Sequence, residues 1–325
     1  MKILVTGSRG QLGQAIMNSS HAGGHEFIFS ARQTIPAENA PATKVQASVC
    51  GPQYHPLDIT DPAAVNALIQ NEGIELIINC AAYTDVAKAE TESENAHLIN
   101  AKAVANLAAA AKAHDAVLIH ISTDYVFDGN ATSPYKETDC TNPVNEYGKS
   151  KLAGEKAILD SGCRYMILRT SWLFSCYGKN FVRTILKKAQ DIRKSQDASQ
   201  TINVVSDQIG NPTYAPDLVE AIFEIINNNQ LPKDDNRGRE GIYNFSNEGQ
   251  CSWYEFAAEI CRQSVKPDQT NPKVLPCTTA DYPSNVRRPS YSVLDKTKFK
   301  ETFHQDIPHW SQSLSKCLQE IEKFG

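Results

Sequence analysis

Nothing in these 325 residues approaches the run of about 20 apolar side chains that a bilayer-spanning helix needs. A basic surplus is also missing. Lys and Arg number 32 against 37 Asp and Glu, and the net charge of −5 argues against nucleic acid or an anionic membrane as partner. The nine cysteines are odd in number and scattered, and no two form a C-x-x-C pair. Zinc and a disulfide framework are therefore not expected, and a reducing compartment, the cytoplasm, is. Histidine offers no better metal site. His21 and His25 have H-x-x-x-H spacing, but Gly23-Gly24 between them predicts a turn rather than a helix face. Glu90, Glu92 and Glu94 read as a solvated acidic face. There are no internal repeats, and strand-like residues from Lys2 onward are expected to leave no room for a targeting peptide.

What is present alternates. Ile3-Leu4-Val5, Glu26 to Ser30, Leu76-Ile77-Ile78 and Val117 to Ile121 read as strands. Between them lie helical stretches at Gln11 to Ser19, at Asp61-Pro62 to Asn71 with Gly73 closing, and over the alanine-rich Asn95 to His114. Strands alternating with helices predict an α/β fold, a doubly wound, mostly parallel Rossmann sheet with helices on both faces. Gln33 to Gln53 lacks periodicity and reads as a surface excursion ahead of Leu57-Asp58-Ile59; Asp191 to Gln200 reads as a polar loop. After Tyr177 the alternation fades into short elements, prolines and aromatics, which suits a smaller substrate domain. Met166 to Leu168 and Ile242 to Phe245 are expected to rejoin the main sheet. The division is therefore interleaved: 1–176 with 212–246 for the dinucleotide domain, 177–211 and 247–325 for the substrate domain.

Directly after the first strand stands Gly7-Ser8-Arg9-Gly10-Gln11-Leu12-Gly13. Glycine permits the tight strand-to-helix turn and lets backbone approach a pyrophosphate, whose charge suits the helix N-terminus. NAD-specific sites place an acid after the second strand. Here that strand ends in Arg32, and Arg9 lies within the glycine loop. Two guanidiniums suit a 2′-phosphate, so the expectation is NADPH, with use of NADH the competing reading.

Tyr147-Gly148-Lys149-Ser150-Lys151 holds Y-x-x-x-K. On a helix this spacing puts Tyr147 and Lys151 on one face. An ammonium beside a phenol would lower its pKa and ease proton exchange. The strand Val117 to Ile121 runs into Ser122-Thr123-Asp124, and residues at the carboxyl end of a parallel strand face the ligand crevice. Thr123 is placed to hydrogen-bond a reacting carbonyl. Trp253, Tyr254 and Phe256 read as packing of the helix they stand on.

Together these features resemble an extended short-chain dehydrogenase/reductase, and the finer resemblance is to the dTDP-4-dehydrorhamnose reductase family. Its segments occur in order as Leu57-Asp58-Ile59-Thr60-Asp61, Asn79-Cys80-Ala81-Ala82-Tyr83-Thr84, Ser122-Thr123-Asp124-Tyr125-Val126-Phe127-Asp128-Gly129, Arg169-Thr170-Ser171-Trp172, Asp207-Gln208 with Pro212-Thr213-Tyr214, and Arg288-Pro289. The resemblance implies Tyr147 as proton donor with Lys151 as partner, Thr123 and Asp124 at the substrate's keto group, and Trp172 on its sugar or base. It implies Asp58 and Ile59 along the adenine, with Ala81, Ala82 and Thr84 at the cofactor's middle. It raises magnesium without pointing to ligands. Departures are the long stretch from Gln33 to Gln53, Cys80 where the family tends to have alanine, and Val286-Arg287-Arg288, whose register to the family's Arg-Pro is open.

The implied activity is NADPH-dependent reduction of a dTDP-4-dehydro-6-deoxy-L-hexose by a protein that acts alone or as a homodimer. Two rivals stand beside it. One is an epimerase or dehydratase that regenerates its cofactor, although Asp124 is followed by Tyr125 and no neighbouring Glu. The other is a non-catalytic regulatory subunit, against which Tyr147 and Lys151 count.

Overall fold

The computed structural model describes residues 1–20, 23–32, 53–195, 200–232, 239–266, 272–282 and 285–324. His21 and nearly all of the 33–53 excursion lie outside them. In the first half the order is β1 (Lys2–Thr6), α1 (Gln11–Met17), β2 (Glu26–Ala31), β3 (Gln53–Pro56), α2 (Pro62–Glu72) and β4 (Leu76–Asn79). Then come α3 (Val86–Ala89), α4 (Ser93–His97), a π-helical turn (Leu98–Lys102), α5 (Ala103–Ala113), β5 (Val117–Thr123), α6 (Glu146–Ser161) and β6 (Arg164–Thr170). The second half adds β7 (Leu173–Phe174), α7 (Phe181–Ser195), β8 (Thr201–Val205), β9 (Ile209–Gly210), β10 (Thr213–Tyr214), α8 (Ala215–Asn227) and β11 (Gly241–Asn244). It closes with β12 (Cys251–Ser252), α9 (Trp253–Ser264), β13 (Lys273–Cys277), α10 (Thr297–Phe303) and α11 (Trp310–Phe324).

Seven strands form one sheet in the order β11-β6-β5-β4-β1-β2-β3, and every pairing in it is parallel. Parallel strands buried on both faces read as continuous apolar runs, which is why Ile3-Leu4-Val5 is legible. Ile3 and Val5 enter one core with α1, α8 and α10, while Leu4 enters the other with α2, α5 and α6. The start and stop of α2 follow from local chemistry. Asp61 accepts from the N–H groups of Ala63 and Ala64, Pro62 occupies the first turn, and Gly73 closes in the left-handed conformation.

Three differences from the sequence reading have physical causes. The helix expected over Asn95 to His114 is interrupted by the π-turn. There the Asn100 amide bonds the N–H and C=O of Tyr83 and the hydroxyl of Ser150, and α6 comes so close that a Cβ on Gly154 would collide with the Asn100 carbonyl. Residues 191–195, expected as loop, complete α7 because its apolar face packs on α9. Phe299, Phe303 and Ile307, within the stretch assigned to the second domain, belong to the main core. The second lobe has its own core, built from α7, α9 and α11 around Phe174, Tyr214 and Phe256.

Candidate active site

The carboxyl ends of β1, β2, β4, β5 and β6 open on a cleft of about 760 Å³ whose far wall comes from the second lobe. Its floor begins at the glycine loop. Gly7 has φ +66°, and a Cβ there would lie 2.6 Å from the Ala81 nitrogen. Gly13 lies outside the cleft lining: a Cβ on it would meet Ser8 Cα at 2.5 Å, so its part is to let α1 pack against the loop. Gly10 caps α1 with no side-chain hydrogen bond, and the buried Ser8 and Ser30 hydroxyls have no partner among the described residues. A bare backbone turn with unanswered donors fits an anionic dinucleotide.

All the other residues expected to touch cofactor or substrate line this one cleft: Gly7, Arg9, Gly10, Gln11, Leu12, Arg32, Asp58, Ile59, Ala81, Ala82, Thr84, Thr123, Asp124, Tyr147, Lys151 and Trp172. At the β2 corner Arg32 Nε lies 3.6 Å from Asp58 Oδ2, both exposed. Hydrogen bonds from the Thr60 hydroxyl and N–H, helped by Arg32, hold the Asp58 carboxyl below its ordinary range. Gln11 accepts from Ser175 Oγ and Asn180 Nδ2, both at 3.0 Å, and so ties the 173–180 loop to the glycine loop.

Asn145 starts α6 by accepting from the Gly148 N–H at 2.9 Å, which sets Tyr147 in the first turn. The Tyr147 ring meets Tyr125 edge-on, with centroids 5.6 Å apart. Burial raises its phenol pKa, opposed by a hydrogen bond with Thr123. The expected lowering by Lys151 is not what this arrangement gives. Lys151 is buried and turned inward, donating to Ile121 O at 2.6 Å and 3.3 Å from His120 Nε2. Burial pulls its pKa down to about 8. One turn further, Glu155 is held by Arg169 Nε at 2.9 Å, Arg169 Nη2 at 2.6 Å and Ser122 Oγ at 2.5 Å, all buried. This closed set pins α6 to β5 and β6 and so fixes where Tyr147 stands. Asp124 is buried beside Tyr147, and burial raises its pKa to about 6.

The far wall was less legible. Trp172, at φ +47°, stacks on Trp253 with centroids 3.6 Å apart, and a Cβ on Gly210 would strike its indole at 2.6 Å. The indole face against Trp253 is therefore taken, which leaves the pair as one composite wall. Trp253, read from sequence as core packing, lines the cleft, as do Lys179, Asn180, Tyr125 and Arg288. The signal for Trp253 was the Ser252-x-x-Glu255 capping box, which sets it at the first position of α9. Among the described residues no three His, Cys, Asp or Glu side chains group to hold a metal ion, and no helix is long and apolar enough to cross a membrane. The described residues therefore show no built site for magnesium.

Residues 1–323 match the family described as the RmlD substrate binding domain. A dTDP-4-dehydrorhamnose reductase of Aggregatibacter actinomycetemcomitans is 37% identical over 96% of this chain and 97% of its own. The chain belongs to the dTDP-4-dehydrorhamnose reductase family. Two solved reductases of the family superpose throughout. The Clostridium acetobutylicum ortholog is 35% identical with a TM-score of 0.82, covering 99% of this chain and 100% of that one. The Bacillus anthracis reductase, solved in complex with NADP, is 32% identical with a TM-score of 0.80, covering 98% and 99%.

Proposed function

We propose that this protein reduces the C4 ketone of dTDP-4-dehydro-L-rhamnose with NADPH, giving dTDP-L-rhamnose. The observation that carries the reading is Tyr147, which faces the same cleft as the glycine loop, with Thr123 and Lys151 lining it beside the phenol. NADPH supplies the hydride. Residues 1–176 and 212–246 hold the cofactor, with the loop glycines under its pyrophosphate, Arg9 and Arg32 at the 2′-phosphate and Asp58-Ile59 along the adenine. Residues 177–211 and 247–325 hold the sugar nucleotide, with Trp172 and Trp253 as a wall. Tyr147 gives its proton to the ketone oxygen; its raised pKa keeps it protonated at neutral pH. Thr123 and Asp124 orient that oxygen. Lys151 reaches the cofactor's ribose once it turns from Ile121 O.

Order of substrates tests this. Hydride transfer needs the carbonyl carbon at the nicotinamide and the oxygen at Tyr147. A fixed indole wall should not fit both epimers at C3 and C5 alike. NADPH absorbance should therefore fall little with dTDP-4-dehydro-6-deoxy-D-glucose alone and rapidly once a 3,5-epimerase is added, with dTDP-L-rhamnose seen by NMR. Fast reduction of the unepimerised sugar would sink the rhamnose assignment. Turnover without net NADPH loss would point to an epimerase, and no turnover to a binding module.

A further inference from the structure

Beneath the cofactor side of the cleft, three buried side chains that the mechanism leaves unused, Thr6 on β1, Asn79 on β4 and His120 on β5, run up to the buried Lys151 on α6. The protons along this chain can be assigned from one end. The Ala81 N–H points at Asn79 Oδ1 at 3.2 Å, and the Thr6 hydroxyl donates to the same atom at 2.6 Å. A backbone N–H cannot accept, so that atom is the amide oxygen and the other is the NH2. Asn79 Nδ2 lies 2.9 Å from His120 Nδ1, so Nδ1 accepts and is bare. A neutral ring then carries its proton on Nε2. Nε2 faces Lys151 Nζ at 3.3 Å. An ammonium would set donor against donor, whereas an amine accepts that N–H and still donates to Ile121 O.

We propose that His120 is a positioning residue: as its Nε2-protonated tautomer it parks the amine form of Lys151 under the cleft, and protonation of the lysine breaks that bond and releases the side chain towards the cofactor. The proposal rests on the nicotinamide reading of the cleft. The other groups around Lys151 do not hold an ammonium in place. Glu155, from its own helix, is taken up by Arg169 and Ser122. The Cys80 thiol beyond β4 is pushed up to about 12 by burial and is neutral, as is Tyr147 one turn back on α6. Burial also drives His120 well below its ordinary pKa, so the ring stays neutral, and pulls Lys151 to about 8, within reach of both forms.

The first test uses neither cofactor nor sugar, so its outcome is independent of the reaction assignment. Protein labelled with 15N-histidine is examined by long-range 1H–15N NMR, with His120→Gln identifying the ring signals. The expected result is a bare Nδ1 and a protonated Nε2 from pH 6 to 9. An Nδ1-protonated ring or an imidazolium overturns the proposal. The second test follows NADPH affinity by fluorescence. If binding needs the ammonium, affinity falls about tenfold from pH 7 to 9, set by one proton lost above the free-protein value. His120→Leu removes the donor that favours the amine, raises the lysine's pKa and should shrink the fall to less than about threefold. An equal or steeper fall in the variant overturns the parking role.

Discussion

The two walls of the cleft are made of different material. The cofactor wall is mostly backbone, strand ends, the turn at Gly7 and the alanines after β4, so close-packed that a Cβ added at Gly7 has nowhere to go, with the Arg9 and Arg32 side chains at its outer corner. The opposite wall is side chain: Trp172, Lys179, Trp253 and Arg288, brought together from segments far apart in the chain. Backbone contacts recognise what every dinucleotide shares. Side-chain contacts change with each substitution and suit the discrimination between epimers that the proposed substrate would require. Damage to one wall should therefore spare ligand binding at the other.

Where the walls meet, the effect should be largest. Tyr147→Phe is expected to cost about 10²–10⁴-fold in kcat while leaving NADPH affinity within about twofold, the usual worth of a general acid. A variant keeping most of the wild-type rate at saturating substrate would remove Tyr147 from that role. On the cofactor wall, Arg9→Ala with Arg32→Ala should raise KM for NADPH about 10- to 100-fold, since hydrogen bonds between charged groups contribute about 1.5–3 kcal/mol. The KM for NADH should change little, because Asp58, 3.6 Å from Arg32, is then free to meet a ribose hydroxyl. Equal losses for both cofactors would mean that the arginines serve something the two share.

Trp253→Ala attacks the other wall. It removes the 3.6 Å stack that backs Trp172. An aromatic pair is worth about 0.5–1.5 kcal/mol beyond its buried area, so KM for the sugar nucleotide should rise about 3- to 10-fold with NADPH affinity unmoved. A matching loss of NADPH affinity would show that the two walls are not separable.

The same contrast explains what could be read from sequence. The glycine loop, the strand-end Ser122-Thr123-Asp124 and Tyr147 with Lys151 are contiguous signals with a fixed period, and each lines the cleft. Asp61-Pro62 and Gly73 bound α2 because capping is local chemistry. The direction of Lys151 was not legible, since it depends on His120 and Ile121 across a strand. Nor was the break at Leu98–Lys102, which answers to Gly154 on another helix. Trp253 passed as core because an indole on a helix face has one pattern whether a protein core or a cleft lies opposite.

Asp124, at the junction of the walls, is expected to show in stability and to leave the separation of the two walls untouched. Burial raises its carboxyl to about 6, against hydrogen bonds from Thr123 and Ser292 that favour the charged form. An unfolded aspartate titrates near ~3.9. Between those values the folded protein holds the proton that the unfolded chain has lost. This contribution is therefore fully present below about pH 4 and is lost as pH rises through about 6. Asp124→Asn removes the titration. The variant should match the wild type near pH 4 and exceed it at pH 7 by about 1–3 kcal/mol, worth about 2–4 °C in Tm per kcal/mol at this chain size. Melting both proteins from pH 4 to 8 decides it. A Tm difference that stays constant across that range would mean that Asp124 is charged throughout and that this end of the cleft is wetter than its burial implies.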